Sequence, residues 1–323
     1  MKLNNKFALG CLVQWYEIEL IEEYIQSVKN TLNLVDNKEN VIVHFTLVVN
    51  QDLEKLSDEI TMSEIVDRFV KLVDDISFYT DYDITNRLYT IADYRREFND
   101  KYCDEVDVLM WGESDSLLPK QTFEILDNMH TSVKEKTPKY VSFFGTCKMW
   151  DDSWKVIEHT DFTDKPFIDG DEENWWSLRY NMSIDEMNEI NDKVESLDVH
   201  VTHQYKFNGC GLVISSDLIK SGVNIPKSVF FIHEDTAFML QLQKLFGGQV
   251  PQYIIKNILL VHNRKHKKKR TYVLGEEKVK AGDVGAARLE HDWYKKASDM
   301  CHHNTYNMFN QSKVYSWKDV FDE

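Results

Sequence analysis

The stretch at residues 106–115 constrains the fold most, because a short apolar run ends there abruptly in acid. Residues 106–111 are almost all apolar, which is the pattern of a strand covered on both faces. Gly112 lets the backbone bend or approach a ligand closely, and Glu113 and Asp115 follow where the strand leaves the sheet. In open α/β sheets, ligands bind beyond the carboxyl ends of the strands. The two acids therefore indicate either a site for a hard divalent cation or a solvated acidic turn.

Apolar and amphipathic segments alternate along the first third of the chain. Residues 7–13 and 41–49 predict buried strands, and residues 17–32 predict an amphipathic helix between them. Residues 53–73 predict a mostly helical segment, and residues 84–102 predict a helix that leads into the strand with the acidic end. This alternation is the pattern of a parallel sheet with helices on its faces.

The later part of the chain continues this pattern after one interruption. Residues 150–198 are acidic and aromatic, and they predict an excursion from the sheet that contains a helix at 184–194. The predicted regular elements are helices at 120–129, 217–221 and 236–246, and strands at 140–144, 209–214 and 253–261.

Composition narrows the class of protein. The formal net charge of −16 argues against a general nucleic-acid coat or a binder of anionic membranes, although a local basic site is compatible with it. No N-terminal segment has the pattern of a signal peptide, and no apolar run approaches the ~20 residues that a membrane helix needs. The five cysteines are scattered, and no pair has metal-site spacing. We therefore expect reduced thiols, no membrane span and a cytoplasmic location.

Four short motifs follow one another along the chain. They are Glu-Ser-Asp at 113–115, Gly-Cys-Gly at 209–211, His-Glu-Asp at 233–235, and His262 before a basic run. In this order and spacing they resemble the metal-dependent glycosyltransferases of the GT-A fold, which use nucleotide-sugar donors. The segment at 91–95, followed by the stretch that ends at Asp115, is similar to that family's helix and Asp-x-Asp passage.

The resemblance implies an α/β fold of the GT-A (Rossmann-like) type, a mostly parallel twisted sheet with helices on both faces. It implies a catalytic domain at 1–274, with a nucleotide-binding half at about 1–118 and an acceptor half at about 119–274. An inserted aromatic and acidic acceptor region at about 150–200 lies within the second half. Residues 275–323 are expected to form a C-terminal extension of helix and loop.

The resemblance also implies a divalent cation that stabilises a departing diphosphate. The first acid is Glu113 where the family has Asp, so Asp115 is the better candidate for a direct metal contact, with or without Glu113. His262 is either a further ligand or a capped histidine at a strand end. Oxygen ligands suit Mg²⁺ or Mn²⁺, and a histidine ligand favours Mn²⁺.

Donor binding is expected at the tips of the first two strands, where a ring can stack on uracil and a polar side chain can pair with its edge. Trp15 and Tyr16 are either such stacking residues or part of the core. Arg95 either reaches the donor or lies exposed on its helix. The donor-binding candidates are Gln14, Trp15, Tyr16, Asn50, Asp52, Arg95 and Ser114.

The most basic run of this acidic chain occupies residues 263–270. It is a solvated loop, a lid whose Lys265, Lys267 and Arg270 contact the diphosphate, or a set of phosphate contacts to nucleic acid. We rank the lid above the nucleic-acid contact.

The acceptor side is expected near the His-Glu-Asp motif. Asp235, and next Glu234, are candidates for the general base that an inverting transfer needs, whereas a retaining transfer needs no base there. The alternative for Asp235 is capping of the helix that follows. The acceptor-binding candidates are Gly209, Gly211, His233, Trp175 and Trp176, and the two indoles are equally consistent with packing of the inserted region.

The resemblance thus implies a hexosyl- or pentosyltransferase that takes a sugar from a UDP-sugar. The acceptor is a modified DNA base of a virus, in the host cytoplasm, or a protein or glycan. A nucleotidyltransferase acting on sugar phosphates is disfavoured, because residues 14–17 contain neither the glycine nor the lysine of its usual loop. The remaining alternative is a non-catalytic module that grips nucleic acid with residues 264–270.

Overall fold

The computed structural model describes residues 1–76, 80–146, 152–163, 182–203, 205–206, 208–262, 272–273, 275 and 291–322. The strands within these residues are β1 (Phe7–Gln14), β2 (Val41–Val48), β3 (Thr80–Thr85), β4 (Val108–Glu113), β5 (Ser116–Leu117), β6 (Val141–Thr146), β7 (Val199–Thr202), β8 (Val213–Ser215) and β9 (Gln252–His262). The helices are α1 (Ile18–Asn33), α2 (Met62–Asp74), α3 (Ile91–Tyr102), α4 (Thr122–Val133), α5 (Thr160–Thr163), α6 (Ile184–Asn191), α7 (Ser216–Lys220), α8 (Glu234–Phe246), α9 (Asp292–Asn307) and α10 (Trp317–Phe321).

The strands form one mixed, mostly parallel sheet. Its order is β3-β2-β1-β4-β8-β6-β9-β5, and β7 pairs with β9 outside this path. Strands β1 to β4 run parallel, β8 runs antiparallel to its neighbours β4 and β6, and β9 runs parallel to β6. The carboxyl ends of β1, β2, β4, β6 and β9 therefore meet at the same edge of the sheet.

Helices cover both faces of this sheet. Cys11 and Val13 of β1 pack in one core cluster with α1 and α2, whereas Ala8 and Leu12 pack in a second cluster with α3 and α8. Because consecutive strand residues point to opposite faces, a strand buried on both sides has to be apolar throughout. The predicted fold class, a mostly parallel α/β sheet with helices on both faces, is confirmed.

The helix predicted at 84–102 is confirmed only from residue 91 onward. Its first residues complete β3, which pairs in parallel with β2 at the sheet edge, and α3 begins only at Ile91. Most side chains of β3 are exposed, so the strand lacks the apolar pattern that marks its buried neighbours. Asp93 accepts hydrogen bonds from the backbone N–H and the hydroxyl of Thr90, and this pair fixes the start of α3.

Three further strands differ from the prediction. Strand β8 begins at Val213 rather than 209, because Gly211 lies in the left-handed region with φ of 69° and cannot continue a ladder. The short strand β5 was not predicted. Neither was β7, whose mostly exposed residues directly follow the predicted excursion at 150–198 and pair with β9.

The C-terminal extension is helical, as predicted. Helices α9 and α10 enclose Phe230 and Phe231, which lie just before the His-Glu-Asp motif. Phe231 contacts the rings of Trp293 and Trp317 at centroid distances of 5.6 and 5.5 Å. The tail is thus fastened by aromatic packing to the segment that leads into α8.

The described part of the chain shows neither a membrane-spanning helix nor a disulfide. None of its helices combines the length and the hydrophobicity that crossing a bilayer requires. Cys11, Cys103, Cys210 and Cys301 are buried and carry no disulfide. Cys147 lies outside the described residues.

Gly112 provides a test of packing beneath the strand with the acidic end. A Cβ at this position would lie 2.0 Å from the hydroxyl oxygen of Tyr24, so Gly112→Ala forces the ring to move. We expect the substitution to lower the free energy of unfolding by about 1–3 kcal/mol, as overpacking does. Urea denaturation followed by circular dichroism measures the change.

Tyr24→Phe supplies the matched control. The Tyr24 hydroxyl is buried and has no hydrogen-bond partner among the described residues, so its removal alone should change stability by less than about 1 kcal/mol. The double variant should recover part of the loss caused by Gly112→Ala. Additive effects of the two substitutions would contradict this account.

Candidate active site

A small antiparallel pairing brings the acidic end of β4 next to the end of β9. After Glu113 the chain turns tightly, because the Ser116 hydroxyl accepts from the Glu113 N–H at 3.2 Å and donates to the Glu113 carbonyl at 3.1 Å. Ser116 then stands opposite His262 in the β5–β9 pair. The late histidine is therefore placed against the Glu-Ser-Asp turn by backbone pairing.

The candidate metal ligands converge at this point. His262 Nε2 lies 3.2 Å from Glu113 Oε2 and 3.3 Å from Asp115 Oδ1. Neighbouring ligands around one Mg²⁺-sized ion, with bonds of ~2.1 Å, stand about 3 Å apart. The three side chains are largely buried, with 23%, 10% and 7% of Glu113, Asp115 and His262 exposed. The chemistry of the three groups and the separation of His262 from each acid therefore fit neighbouring ligands of a divalent cation.

The groups around Glu113 keep its side chain ionised, as a carboxylate ligand of a metal has to be. Burial by itself raises the pKa of Glu113, but the hydrogen bond with His262 and the charge of Arg95 outweigh it and hold this pKa well below its ordinary value. The side chain is therefore ionised at neutral pH. Its Oε1 accepts from Arg95 while its Oε2 faces His262.

Arg95 is buried rather than exposed, so the expectation of an exposed helix arginine was wrong. Its Nη2 donates to Glu113 Oε1 at 2.7 Å and to the Gly209 carbonyl at 3.0 Å, and its Nη1 donates to Glu234. The guanidinium also stacks on Trp111, with Cζ 4.8 Å from the ring centroid. Arg95 thus joins the β4 acid, the glycine motif and the start of α8.

The His-Glu-Asp motif lies at the start of α8. His233 is the N-cap residue, with φ of 68°, whereas Asp235 lies in the first turn of the helix. From there its carboxylate satisfies a backbone amide at the helix start, which is the role that the capping interpretation gave it. Asp235 Oδ1 accepts from the Thr236 N–H at 2.6 Å. A Cβ built on Gly209 would lie 3.4 Å from Asp235 Oδ2, which places this carboxylate beside the glycine motif.

Glu234 is buried and its proton affinity is increased. Burial raises the pKa of Glu234 to about 7, since desolvation exceeds the opposing effect of the Arg95 charge, and Asp235 raises it further. Two neighbouring acids on one helix turn therefore have different environments. Asp235 is partly exposed toward Gly209, and Glu234 is enclosed with Arg95.

Trp15, one of the two candidates for stacking on a base, joins the tips of β1 and β2. Trp15 is fully buried, and its Nε1 donates to the Asn50 carbonyl at 3.0 Å. Tyr16 is buried against it, at a centroid distance of 5.3 Å. Of the two interpretations, the positions fit core packing. Asp52 is exposed and Asn50 is partly exposed, and the Asn50 amide donates to Asp52 Oδ2 at 3.0 Å.

Two other donor candidates lie close to the acidic turn or to the first strand. Gln14 is partly exposed and donates to the Tyr89 carbonyl at 3.1 Å. The Ser114 hydroxyl donates to Glu17 Oε2 at 3.2 Å, and the same oxygen accepts from the Gln14 N–H at 3.3 Å. Glu17 therefore connects the tip of β1 to the turn after β4.

Several predicted site residues lie outside the described part of the chain. They are Lys265, Lys267 and Arg270 of the basic run, and Trp175 and Trp176 of the inserted region. The described residue Tyr272, just beyond the basic run, donates to Glu19 of α1 and accepts from Arg68 Nη1 of α2 at 2.7 Å. His262, immediately before the run, thus lies at the candidate metal site, and Tyr272, just beyond it, is held against α1 and α2.

Sequence reasoning missed two residues that the fold brings to the site. One is Glu17, which was considered only as the start of a helix. The other is Cys210, whose sulfur lies within 4.8 Å of ligand atoms of Glu113 and His262. The sequence signal that could have identified Cys210 was its position between Gly209 and Gly211, which were both candidate site residues.

Glu234 predicts a pH dependence of stability. Between its ordinary pKa of 4.5 and about 7 the folded chain keeps this proton and the unfolded chain has lost it. The folded state therefore binds more protons, and its stability falls as pH rises through this window. Glu234→Gln removes this titration. The free energy of unfolding of the variant, relative to that of the unmodified protein, should therefore increase from pH 5 to pH 8 by an amount on the order of 3 kcal/mol. The difference between the two Tm values should increase in the same direction.

Thermal melts at several pH values measure this difference. Glu124→Gln, an exposed acid on α4, is the matched control and should show no such trend. A difference between the Glu234→Gln and unmodified proteins that does not change with pH would contradict the buried, proton-holding state of Glu234.

Comparisons with known proteins give similarities of fold. No family model and no curated protein matches the sequence. Among solved structures, TarS 1–349 from S. aureus is similar with a TM-score of 0.46 and 10% identity, over 96% of this chain and 76% of that one. GalNAc-T7 with UDP, GalNAc and Mn²⁺ has a TM-score of 0.48 and 7% identity, over 96% of this chain and 58% of that one.

A third similar structure is glucosyl-3-phosphoglycerate synthase from Mycobacterium tuberculosis, in complex with Mn²⁺, UDP-glucose and phosphoglyceric acid. Its TM-score is 0.41 and its identity 8%, over 87% of this chain and 80% of that one. At these scores and identities the likeness carries no argument about the activity of this chain. The chemistry has to be argued from its own site residues.

Proposed function

We propose that the protein is a metal-dependent glycosyltransferase that moves a sugar from a nucleotide-sugar to an acceptor hydroxyl. One observation carries the proposal. Two carboxylates from the end of β4 each lie within 3.3 Å of an imidazole from the end of β9, at the carboxyl edge of the sheet. In sheets of this kind that edge is where nucleotide ligands bind.

Glu113, Asp115 and His262 are the residues that would hold the cation. When bound, a divalent cation stabilises the negative charge that develops on the departing diphosphate. The mixed oxygen and nitrogen set favours Mn²⁺ over Mg²⁺. Arg95 holds Glu113 in place through Nη2, so the carboxylate has little freedom to turn away from His262.

The nucleoside is proposed to lie over the tips of β1 and β2. The partly exposed Gln14 and Asn50 and the exposed Asp52 offer donors and acceptors there, which suit the edge of a base such as uracil. Trp15 supports this surface from below by holding the Asn50 carbonyl. A UDP-sugar is therefore the donor class that we propose, with Lys265, Lys267 and Arg270 contacting its diphosphate.

The acceptor is proposed to approach from the start of α8. Asp235 has an oxygen near Gly209 and is the candidate base that removes the proton of the acceptor hydroxyl. Glu234 serves instead as an anchor for Arg95. His233, Gly209 and Gly211, with Trp175 and Trp176, form the proposed acceptor side. The acceptor classes that we propose are a protein, a glycan and a modified base in DNA.

The local geometry after β1 weighs against a nucleotidyltransferase. Residues Trp15–Glu17 form a 3₁₀ turn in which Trp15 and Tyr16 are buried, whereas such enzymes place a glycine-rich basic loop at this point. A non-catalytic nucleic-acid module would require no convergence of Glu113, Asp115 and His262.

Loss of one ligand should remove the metal-dependent reaction. Asp115→Asn keeps the size of the side chain but removes its charge, and we expect Mn²⁺-stimulated hydrolysis of the preferred UDP-sugar to fall at least about 100-fold, because such a metal supplies several kcal/mol. Release of UDP, measured over a panel of UDP-sugars, gives the rate. Asp104→Asn, an exposed acid after α3, is the control and should keep the full rate. Equal rates for both variants would contradict the metal assignment.

The proposed base can be separated from donor binding. Asp235→Asn should lower the rate of transfer by about 10²–10⁴-fold, the usual range for loss of a general base. The affinity for UDP with Mn²⁺, measured by calorimetry, should stay unchanged, because Asp235 lies on the acceptor side. Transfer at an unchanged rate would show that Asp235 is not the base, as expected for a retaining reaction.

A further inference from the structure

A buried thiol lies beside the candidate metal ligands. Cys210 has 3% of its surface exposed. Its sulfur, a carboxylate oxygen of Glu113 and a ring nitrogen of His262 all lie within 4.8 Å of one another. A carboxylate, an imidazole and a thiol from three distant parts of the chain thus converge, although no cysteine spacing in the sequence indicates a metal site.

The backbone fixes this thiol in place. The Gly211 N–H donates to the Trp111 carbonyl at 3.1 Å, and the Trp111 N–H donates to the Leu212 carbonyl at 2.8 Å, so the loop is fastened to β4. A Cβ on the left-handed Gly211 would lie 2.6 Å from Leu260 Cδ1 of β9. The loop is therefore held between the two strands that supply Glu113 and His262, and Cys210 has little room to move away.

The chemistry of this set differs from that of an all-oxygen site. Around a four-coordinate ion with bonds of ~2.0–2.3 Å, neighbouring sulfur and nitrogen ligands stand about 3.5 Å apart. In the structure the Cys210 sulfur lies at most 4.8 Å from the ligand atoms of Glu113 and His262. A small side-chain movement would bring it to the separation that metal binding requires. Thiolate, imidazole and carboxylate together suit Zn²⁺, Co²⁺ or Cd²⁺, whereas Mg²⁺ is poorly served by sulfur.

We infer that Cys210 is a ligand of the cation bound by Glu113 and His262, and that it gives this site affinity for thiophilic divalent cations. The inference rests on the metal centre of the proposed function and adds a ligand to it. When the sulfur–metal bond forms, the thiol loses its proton to solvent and no electron is transferred. Cys210 thereby sets which cations compete for the site.

Cobalt spectroscopy tests the inference directly. The protein is stripped of metal with a chelator, kept reduced with a phosphine and titrated with Co²⁺. A thiolate ligand produces an intense near-ultraviolet charge-transfer band that carboxylate and imidazole do not produce. We expect this band to saturate at one equivalent of Co²⁺, to be absent in Cys210→Ser, and to persist in Cys301→Ser, which alters a buried cysteine of α9.

Calorimetry with Cd²⁺ adds a second measurement. Cys210→Ser should weaken Cd²⁺ binding by at least about tenfold, the scale on which losing a supporting group weakens metal sites, while the ratio of Cd²⁺ to Mg²⁺ affinity falls. Co²⁺ binding without the charge-transfer band in the unmodified protein, a band that survives in Cys210→Ser, or no Co²⁺ binding at all would overturn the inference.

These outcomes are distinguishable from failure of the proposed function. Mn²⁺-stimulated hydrolysis of a UDP-sugar without a thiolate band would reject Cys210 as a ligand and leave the transferase proposal standing. A thiolate band in a protein that hydrolyses none of the UDP-sugars would support Cys210 as a ligand and reject the transferase.

Discussion

The antiparallel contact between β5 and β9 is the interaction on which the candidate site depends. Strands β4 and β9 are separated in the sheet by β8 and β6. Three strand spacings of ~4.8 Å place their axes roughly 14 Å apart. The turn after Glu113 and the two residues of β5 cross this gap, and the register that sets Ser116 opposite His262 closes it. An irregularity in the β6–β9 pairing, where Ile255 and then Leu259 follow as successive partners of Phe144 and Gly145, accompanies the departure of β9 toward β5.

Arg95 allows Glu113 and Glu234 to be buried together at this edge of the sheet. Glu113 and Glu234 both accept hydrogen bonds from one buried guanidinium, and burying the two acids in charged form without it would cost several kcal/mol each. The charge of Arg95 lowers the pKa of both acids, but Glu113 is also hydrogen-bonded to His262, whereas burial outweighs the effect of Arg95 at Glu234. One acid therefore stays ionised beside the proposed cation, and the other holds its proton near neutral pH. Arg95 is thus better described as a positioning residue than as a donor-binding one.

Residue patterns predicted the elements with strong periodicity and missed those without it. Strands β1, β2, β4 and β9 are buried on both faces, so their apolar runs identified them. The exposed edge strand β3 carries polar side chains and was not predicted, and its last two residues were included in the helix predicted at 84–102. The acids at the end of β4 and the histidine at the end of β9 could be singled out because strand ends on one edge of a parallel sheet have to lie together. The burial of Trp15 could not be predicted, because an aromatic residue after a strand serves equally well in a core or against a base.

By itself the sequence determined the alternation of strand and helix, the acidic end of β4 and the order of the four motifs, since these depend on local periodicity and on backbone preferences of a few residues. Only the tertiary structure decided that Arg95 is buried between two acids, that Glu17 reaches Ser114, and that Cys210 lies beside Glu113 and His262. Such contacts join residues far apart in the chain, and their distances depend on strand order and register. Those quantities are set by the packing of the whole sheet, and no short stretch of residues encodes them.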